Sequence, residues 1–167
     1  MKGGVLMDES LRTNDSVIDA AKKYADILIK VSFTYVKNRQ DAEDIAHDVF
    51  LKLMIKRPIF GNEDHRKAWL IRVAINLSKN RLKTSWFRKT TSLDDNIPLL
   101  TIEENDVLNA VQQLPVKYRS IIHLFYIEGY SISEVAAMLG RKESTVGSQL
   151  HRARIMLKSK LKEDFDV

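Results

Sequence analysis

Apolar residues recur at steps of three and four in several separate stretches of this chain, a period that predicts an all-α protein. The first stretch sets Val17, Ala21, Tyr24, Leu28, Val31 and Tyr35 on one helical face, with Ser16 and Asp19 forming a capping pattern at its start. Residues 1–15 show no such period and are expected to be a disordered N-terminus. After a turn at Lys37 to Gln40, Asp41 is placed to cap a second helix whose buried stripe is Ala42, Ile45, Ala46, Val49 and Leu53. Pro58 and Gly61 punctuate the loop from Lys56 to Asp64, and Glu63 or Asp64 opens a third helix with Leu70, Val73, Ala74 and Leu77 inward.

The period disappears over residues 90–100, which contain Pro98 and read as a flexible linker between two small helical domains, residues 16–89 and 101–162, with a tail at 163–167. Thr101 and Glu104 form a capping box ahead of Val107, Leu108, Val111 and Leu114, a helix stopped by Pro115. Tyr118, Ile121, Ile122 and Phe125 give the next helix, ended by Gly129, and His123 beside that stripe reads as structural. Then comes a tight pair. Ser131 and Glu134 make a second capping box with Tyr130 and Val135 as its hydrophobic staple, so a helix runs from Ile132 to Leu139 and closes at Gly140. The helix after it sets Val146, Leu150, Ala153 or Ile155, and Leu157 inward and turns Ser144, Ser148, Gln149, His151 and Arg152 outward. The spacing of Ala136, Gly140 and Val146 suits a helix-turn-helix: a small residue at the crossing, a glycine at the turn and a branched residue packing back.

Charge sharpens this picture. From Arg141 to Lys162 there are seven Lys or Arg and one acid, which suits a helix lying in a major groove between phosphates; an ordinary helical hairpin with a solvated basic face is the plain alternative. The net charge of +5 over 167 residues is concentrated elsewhere: residues 66–92 carry eight basic side chains and no acid, while the flanks are close to balance. A local cationic stretch is the footprint of a polyanion, most commonly nucleic acid. The chain has no cysteine, which excludes disulfides and thiolate zinc sites and suits a reducing cytoplasm. Its apolar runs fall far short of the roughly 18 residues a membrane span needs, and Met1 to Ser10 lacks a signal peptide's apolar core.

Two helices carry chemistry beyond packing. The second has Asp41, Asp44 and Asp48 along one side with Glu43 and His47 alongside. Acids in a first turn complement the helix dipole, but that effect has faded by Asp48. A docking face for a basic partner is preferred to a metal site, because no second cluster supplies convergent ligands. The third helix aligns Trp69, Arg72, Asn76, Lys79, Asn80 and Lys83, which combine a ring to stack on, amides and cations, as unpaired bases require; a core tryptophan with solvated lysines is the plain alternative.

DAEDIAHDVF, AWLIRVAINLSKNRL, LPVKYRSIIHLFYIEGYSISEVAAMLG and STVGSQLHRAR follow one another in this order. With them the chain resembles, over roughly residues 16–162, a bacterial sigma factor of the extracytoplasmic function group of the sigma-70 family. The resemblance implies a non-enzymatic protein, without catalytic residues, metal or cofactor, that binds core RNA polymerase through the beta-prime coiled coil and the beta subunit. It implies polymerase contacts at Asp41, Asp44, His47 and Asp48, and minus-10 contacts at Phe60, Asn62, Trp69, Arg72, Asn76, Lys79, Asn80 and Lys83. Minus-35 contacts are implied at Arg141, Lys142, Ser144, Thr145, Ser148, Gln149, His151, Arg152 and Arg154. The family more often has glutamine in place of His47 and basic residues in place of Gly147 and Gln149. Its members are usually held by an anti-sigma protein, often membrane-bound, and work in the cytoplasm. The alternatives are a stand-alone helix-turn-helix regulator and a metal-dependent nuclease built on the acidic cluster and His47.

Overall fold

Residues 3–88 and 106–165 are described by a computed structural model of the chain, and all regular structure among them is helical. The N-terminal unit is three long helices: α1 (Gly3–Val36), α2 (Arg39–Lys56) and α3 (Glu63–Arg88). Leu28 and Val31 of α1, Ile45 and Val49 of α2, and Leu70, Ile71 and Ile75 of α3 meet with almost no solvent exposure. The C-terminal unit comprises α4 (Asp106–Gln112), α5 (Val116–Ile122), a π-helical turn (His123–Ile127), α6 (Ile132–Leu139) and α7 (Glu143–Phe165). Leu114, Ile121, Leu124, Val135, Val146 and Leu150 form its interior. The linker at 90–100 and the capping box of Thr101 and Glu104 lie outside the described residues.

The N-terminal expectations need two corrections. Helix α1 starts at Gly3 and passes through Ser16 without a break, so residues 3–15 are helical. Asp19 caps nothing: it accepts from Arg66 Nη1 at 3.1 Å, and Arg66 Nη2 donates to the Ser16 carbonyl at 2.5 Å. Arg66 is only 7% exposed and also meets Glu63 at 3.1 Å, so a buried guanidinium clamps α3 to α1. The cap of α2 is Asn38, whose side chain accepts from the Asp41 backbone N–H at 2.9 Å; Asp41 itself is used elsewhere.

The buried stripe of α3 is Leu70, Ile71, Ala74, Ile75 and Ser78, with Val73 and Leu77 only half-buried, a rotation from the expected Leu70, Val73, Ala74 and Leu77. Val107, grouped with the apolar stripe of its helix, is exposed. The helix expected to run through Phe125 widens into the π-helical turn at His123, where Glu128 N–H reaches the His123 carbonyl at 3.0 Å, before Gly129 (φ 74°) closes it.

The helix-turn-helix forms as its residues require. Ser131 Oγ accepts from Glu134 N–H at 3.2 Å, Glu134 returns the bond by accepting from Ser131 N–H at 2.8 Å, and Gly140 sits at φ 64°. On α7 the inward residue is Ala153, fully buried, while Ile155 is exposed. The two units touch, α5 lying against α1 and α6 against α3.

Candidate nucleic-acid and partner interfaces

Helix α2 turns Asp44, His47, Asp48, Leu51 and Ile55 outward on one side, since residues three and four apart share a helical face. Asp48 and His47 are exposed, and Asp48 makes no ion pair among the described residues. Asp41 and Asp44 are half-buried and engaged by α3: Arg81 Nη2 lies 2.8 Å from Asp41 Oδ1 and 3.2 Å from Asp44 Oδ2. The hydrogen bond to Asp41 raises the Arg81 pKa despite some burial. The two carboxylates that a metal would need are thus held by a guanidinium, and no metal-binding group of three ligands occurs among the described residues. Sequence reasoning missed the apolar end of this face. Ile55 is 76% exposed, and Ile59 in the loop beyond the helix is 95% exposed, a signal available only as apolar residues falling off the buried stripe.

On α3, Arg72, Asn76, Asn80 and Lys83 are exposed along one side, with Trp69 and Lys79 half-buried at its flank. Phe60 from the preceding loop packs edge-on against Trp69, ring centroids 5.7 Å apart, and against His65 at 5.6 Å. This makes a small aromatic platform at the head of a cationic, amide-bearing face. Asn62 is in the same loop, but its side-chain oxygen accepts from His65 N–H at 2.8 Å and so caps α3. Burial, then the nearby Arg141 and Lys83, pull the Lys79 pKa down.

The candidate residues on α7 separate into two sets. Lys142 just before the helix, and Ser144, Thr145, Ser148, His151 and Arg152 on it, are exposed. Arg141 and Gln149 instead bond each other, Nη1 to Oε1 at 2.8 Å, on the side facing α3. Arg154 is exposed but donates through Nε to the Tyr126 hydroxyl and stacks over that ring at 5.5 Å. Ser148 Oγ donates to the Ser144 carbonyl at 2.9 Å. Gly147 stands at the edge of the exposed set, and a Cβ there would meet nothing within 4 Å. A further apolar groove of about 390 Å³ lies between Ile122, Tyr126 and Leu157, rimmed by Lys158 and Lys162.

These surfaces can hold DNA on two separate helices and an apolar-acidic partner site on a third. No helix of the described residues is long and apolar enough to cross a membrane. Residues 20–88 match the family model of Sigma-70 region 2, and residues 104–157 that of Sigma-70 region 4. The chain is 26% identical to the ECF RNA polymerase sigma factor SigW of Bacillus subtilis (strain 168), covering 89% of this chain and 90% of that protein. It is 28% identical to RNA polymerase sigma factor SigV of the same organism, over 81% of this chain and 85% of the relative. Among solved structures, the sigma factor RpoE in complex with the anti-sigma factor NepR from Bartonella quintana shares the fold. That match has a TM-score of 0.72 at 21% identity, over 86% of this chain and 95% of that one.

Proposed function

The chain belongs to the sigma-70 family as an extracytoplasmic-function sigma factor that binds core RNA polymerase and directs promoter-specific initiation, and on that premise we propose how its residues divide the work. The region 2-like domain, residues 16–89, docks on polymerase through Asp44, His47, Asp48, Leu51 and Ile55, with Asp41 and Asp44 both paired to Arg81. Carboxylates steer the approach to a basic partner and Leu51 and Ile55 supply apolar area at the contact. The same domain opens and reads the minus-10 element: Phe60 and Trp69 stack unpaired bases while Arg72, Asn76, Asn80 and Lys83 track the strand. Asn62 contributes through loop geometry rather than through its own amide.

The region 4-like domain, residues 101–162, sets α7 in the major groove of the minus-35 element through Lys142, Ser144, Thr145, Ser148, His151 and Arg152. The groove beside Leu157 takes the polymerase beta subunit. The factor is not an enzyme: it lends recognition to the polymerase that does the chemistry. It works in the cytoplasm with its polymerase, under an anti-sigma protein, membrane-anchored or free; RpoE of Bartonella quintana is bound by such a protein.

The observation that carries this reading is the outward stripe of α2, acidic at one end and apolar at the other, on a chain with two further DNA-suited helices. A stand-alone regulator has no use for that stripe. The test is co-purification with core polymerase followed by transcription from a promoter library. Retention together with initiation at a shared pair of elements supports it, and duplex binding without either would favour the stand-alone regulator.

A further inference from the structure

Cations from four separate elements gather at one seam of the molecule. Lys37 follows the end of α1, Lys79 is on α3, Arg119 on α5 and Arg141 in the turn between α6 and α7. Among the described residues none of them is in an ion pair, whereas Lys23, Lys30, Arg39, Arg66 and Arg81 each hold a carboxylate. Arg119 is only 5% exposed, and it donates from Nε to the Thr34 carbonyl and from Nη1 to the Leu114 carbonyl, each at 2.6 Å. Carbonyls satisfy its hydrogens but do not cancel its charge. Burial brings its pKa down to about 10, so it is charged at neutral pH. Burial and then Arg119 lower the Lys37 pKa, as burial and then Arg141 and Lys83 lower that of Lys79. Cation thus faces cation along the seam, which is unfavourable as it stands.

Tyr35 stands among them. It is 5% exposed, lies near both Arg119 and Arg141, and has its hydroxyl shut from solvent without a hydrogen-bond partner. The neighbouring Ser120 hydroxyl is turned to the Lys117 carbonyl instead, at 3.5 Å. An unpaired buried hydroxyl and unopposed cations each cost stability, and one occupant relieves both: an anion whose oxygens accept from the hydroxyl and whose charge offsets the cations.

We propose that Lys37, Lys79, Arg119, Arg141 and the Tyr35 hydroxyl form a site for a small multivalent phosphate anion, either the polyphosphate of a nucleotide or an inorganic polyphosphate. Guanidinium forks and ammonium groups suit phosphate oxygens, and several negative charges on one small body match cations drawn from four elements. A lone carboxylate carries too little charge for that. The resemblance implied DNA contacts at Lys79 and Arg141; both are half-buried and near each other at this seam.

The test uses the full-length factor alone, titrated calorimetrically in metal-free buffer with sodium triphosphate and separately with a nucleoside triphosphate, at an ionic strength held constant with sodium chloride. Saturable binding of either is expected, and the tighter of the two names the source. Lys79→Gln and Arg141→Gln should each bind about tenfold more weakly, and the exposed Lys37→Gln about threefold. Tyr35→Phe should also bind more weakly, yet melt no lower than wild type without the anion, because its hydroxyl has no partner to lose. Lys79→Gln should likewise melt no lower, since it relieves repulsion. Lys22→Gln with Lys52→Gln removes two exposed charges about 20 Å from Lys37 along their helices and should leave triphosphate affinity unchanged.

A wild type that binds neither triphosphate overturns the site, as does a loss on Lys22→Gln with Lys52→Gln equal to that on Lys37→Gln with Lys79→Gln. Lower melting of Lys79→Gln or Tyr35→Phe with unchanged triphosphate affinity assigns these groups to the fold and overturns it too. Seam variants that lose affinity for a promoter duplex but not for triphosphate make these cations a DNA track, and the small-anion site falls.

Discussion

Replacing Gly147 should stabilise the protein, which is unusual for a change inside a DNA-reading helix. Gly147 lies within α7, outside the left-handed region, and a Cβ added there meets no atom within 4 Å. Nothing in the folded state therefore offsets the helix propensity that alanine brings, about 1 kcal/mol, most of it from a less free unfolded chain. For a unit of this size that corresponds to a rise in Tm of about 4–8 °C, measured by far-ultraviolet circular dichroism on the full chain. A Tm that is unchanged or lower would show that the glycine serves a contact in the folded protein that this structure does not contain. The DNA arm uses charge. At about 100° per residue, Gly147 and Gln149 flank the exposed face of Ser144, Ser148, His151 and Arg152 on opposite sides, so they cannot act as one unit. Gln149 is already turned to Arg141. Gly147→Lys alone should steepen the fall of log K with log salt by about 0.9, one phosphate's worth, on a minus-35 duplex. Gln149→Arg should leave the slope unchanged. The reverse result would mean that the reading face is centred on the Arg141 side.

Asp48→Lys should weaken core polymerase binding about tenfold or more, with the melting curve unchanged because Asp48 is exposed; co-purification at wild-type yield would remove α2 from the docking role. Trp69→Ala should lower permanganate reactivity of the minus-10 region more than duplex affinity, and should also cost about 0.5–1.5 kcal/mol beyond buried area from the lost Phe60 contact. Arg66→Leu should destabilise by about 1–3 kcal/mol in urea melts, less than breaking a fully buried pair, because the half-exposed Asp19 and Glu63 carboxylates can rehydrate. His123 and then Lys67 beside Glu128 hold its carboxyl below its ordinary value of 4.5, so its stabilising contribution is fully present above that pH and lost as pH falls through the lower folded value. Glu128→Gln should accordingly flatten the acid limb of a stability profile below about pH 4.5.

The helix-turn-helix was legible because every rule that builds it is local. Ser131 and Glu134 are three residues apart, Gly140 needs only its own φ, and Val146 and Leu150 share a face by periodicity. The start of α1 was not legible for the opposite reason. Ser16 and Asp19 have the composition of a cap, but their partner is Arg66, whose bonds span 50 and 47 residues. The second helix misled in the same way on a smaller scale. Asn38 and Asp41 can both cap, and what decides between them is Arg81, forty residues further on, which takes the Asp41 carboxylate. Local chemistry can propose a cap; only the fold says which group is free to serve.

The candidate site divides along the same line. Periodicity put Arg72, Asn76, Asn80 and Lys83 on one open face, since it needs nothing but the helix. It could not separate Arg141 in the turn, or Gln149 and Arg154 on the last helix, from the polar residues around them, because their diversion depends on each other and on Tyr126. Nor could it single out Ile55 and Ile59 as exposed, since an exposed apolar residue in sequence looks like any other. Trp69 is the instructive case. It could have been a core residue or a stacking platform, and the structure makes it half-buried, one edge against Phe60 and the rest lining the cavity beneath the helix-turn-helix. A ring used for packing on one side and open to a cavity on the other can stack a base once that cavity is vacated. The ambiguity of Trp69 in the sequence is thus a property of the molecule, in which the same side chain packs on Phe60 and lines an open cavity.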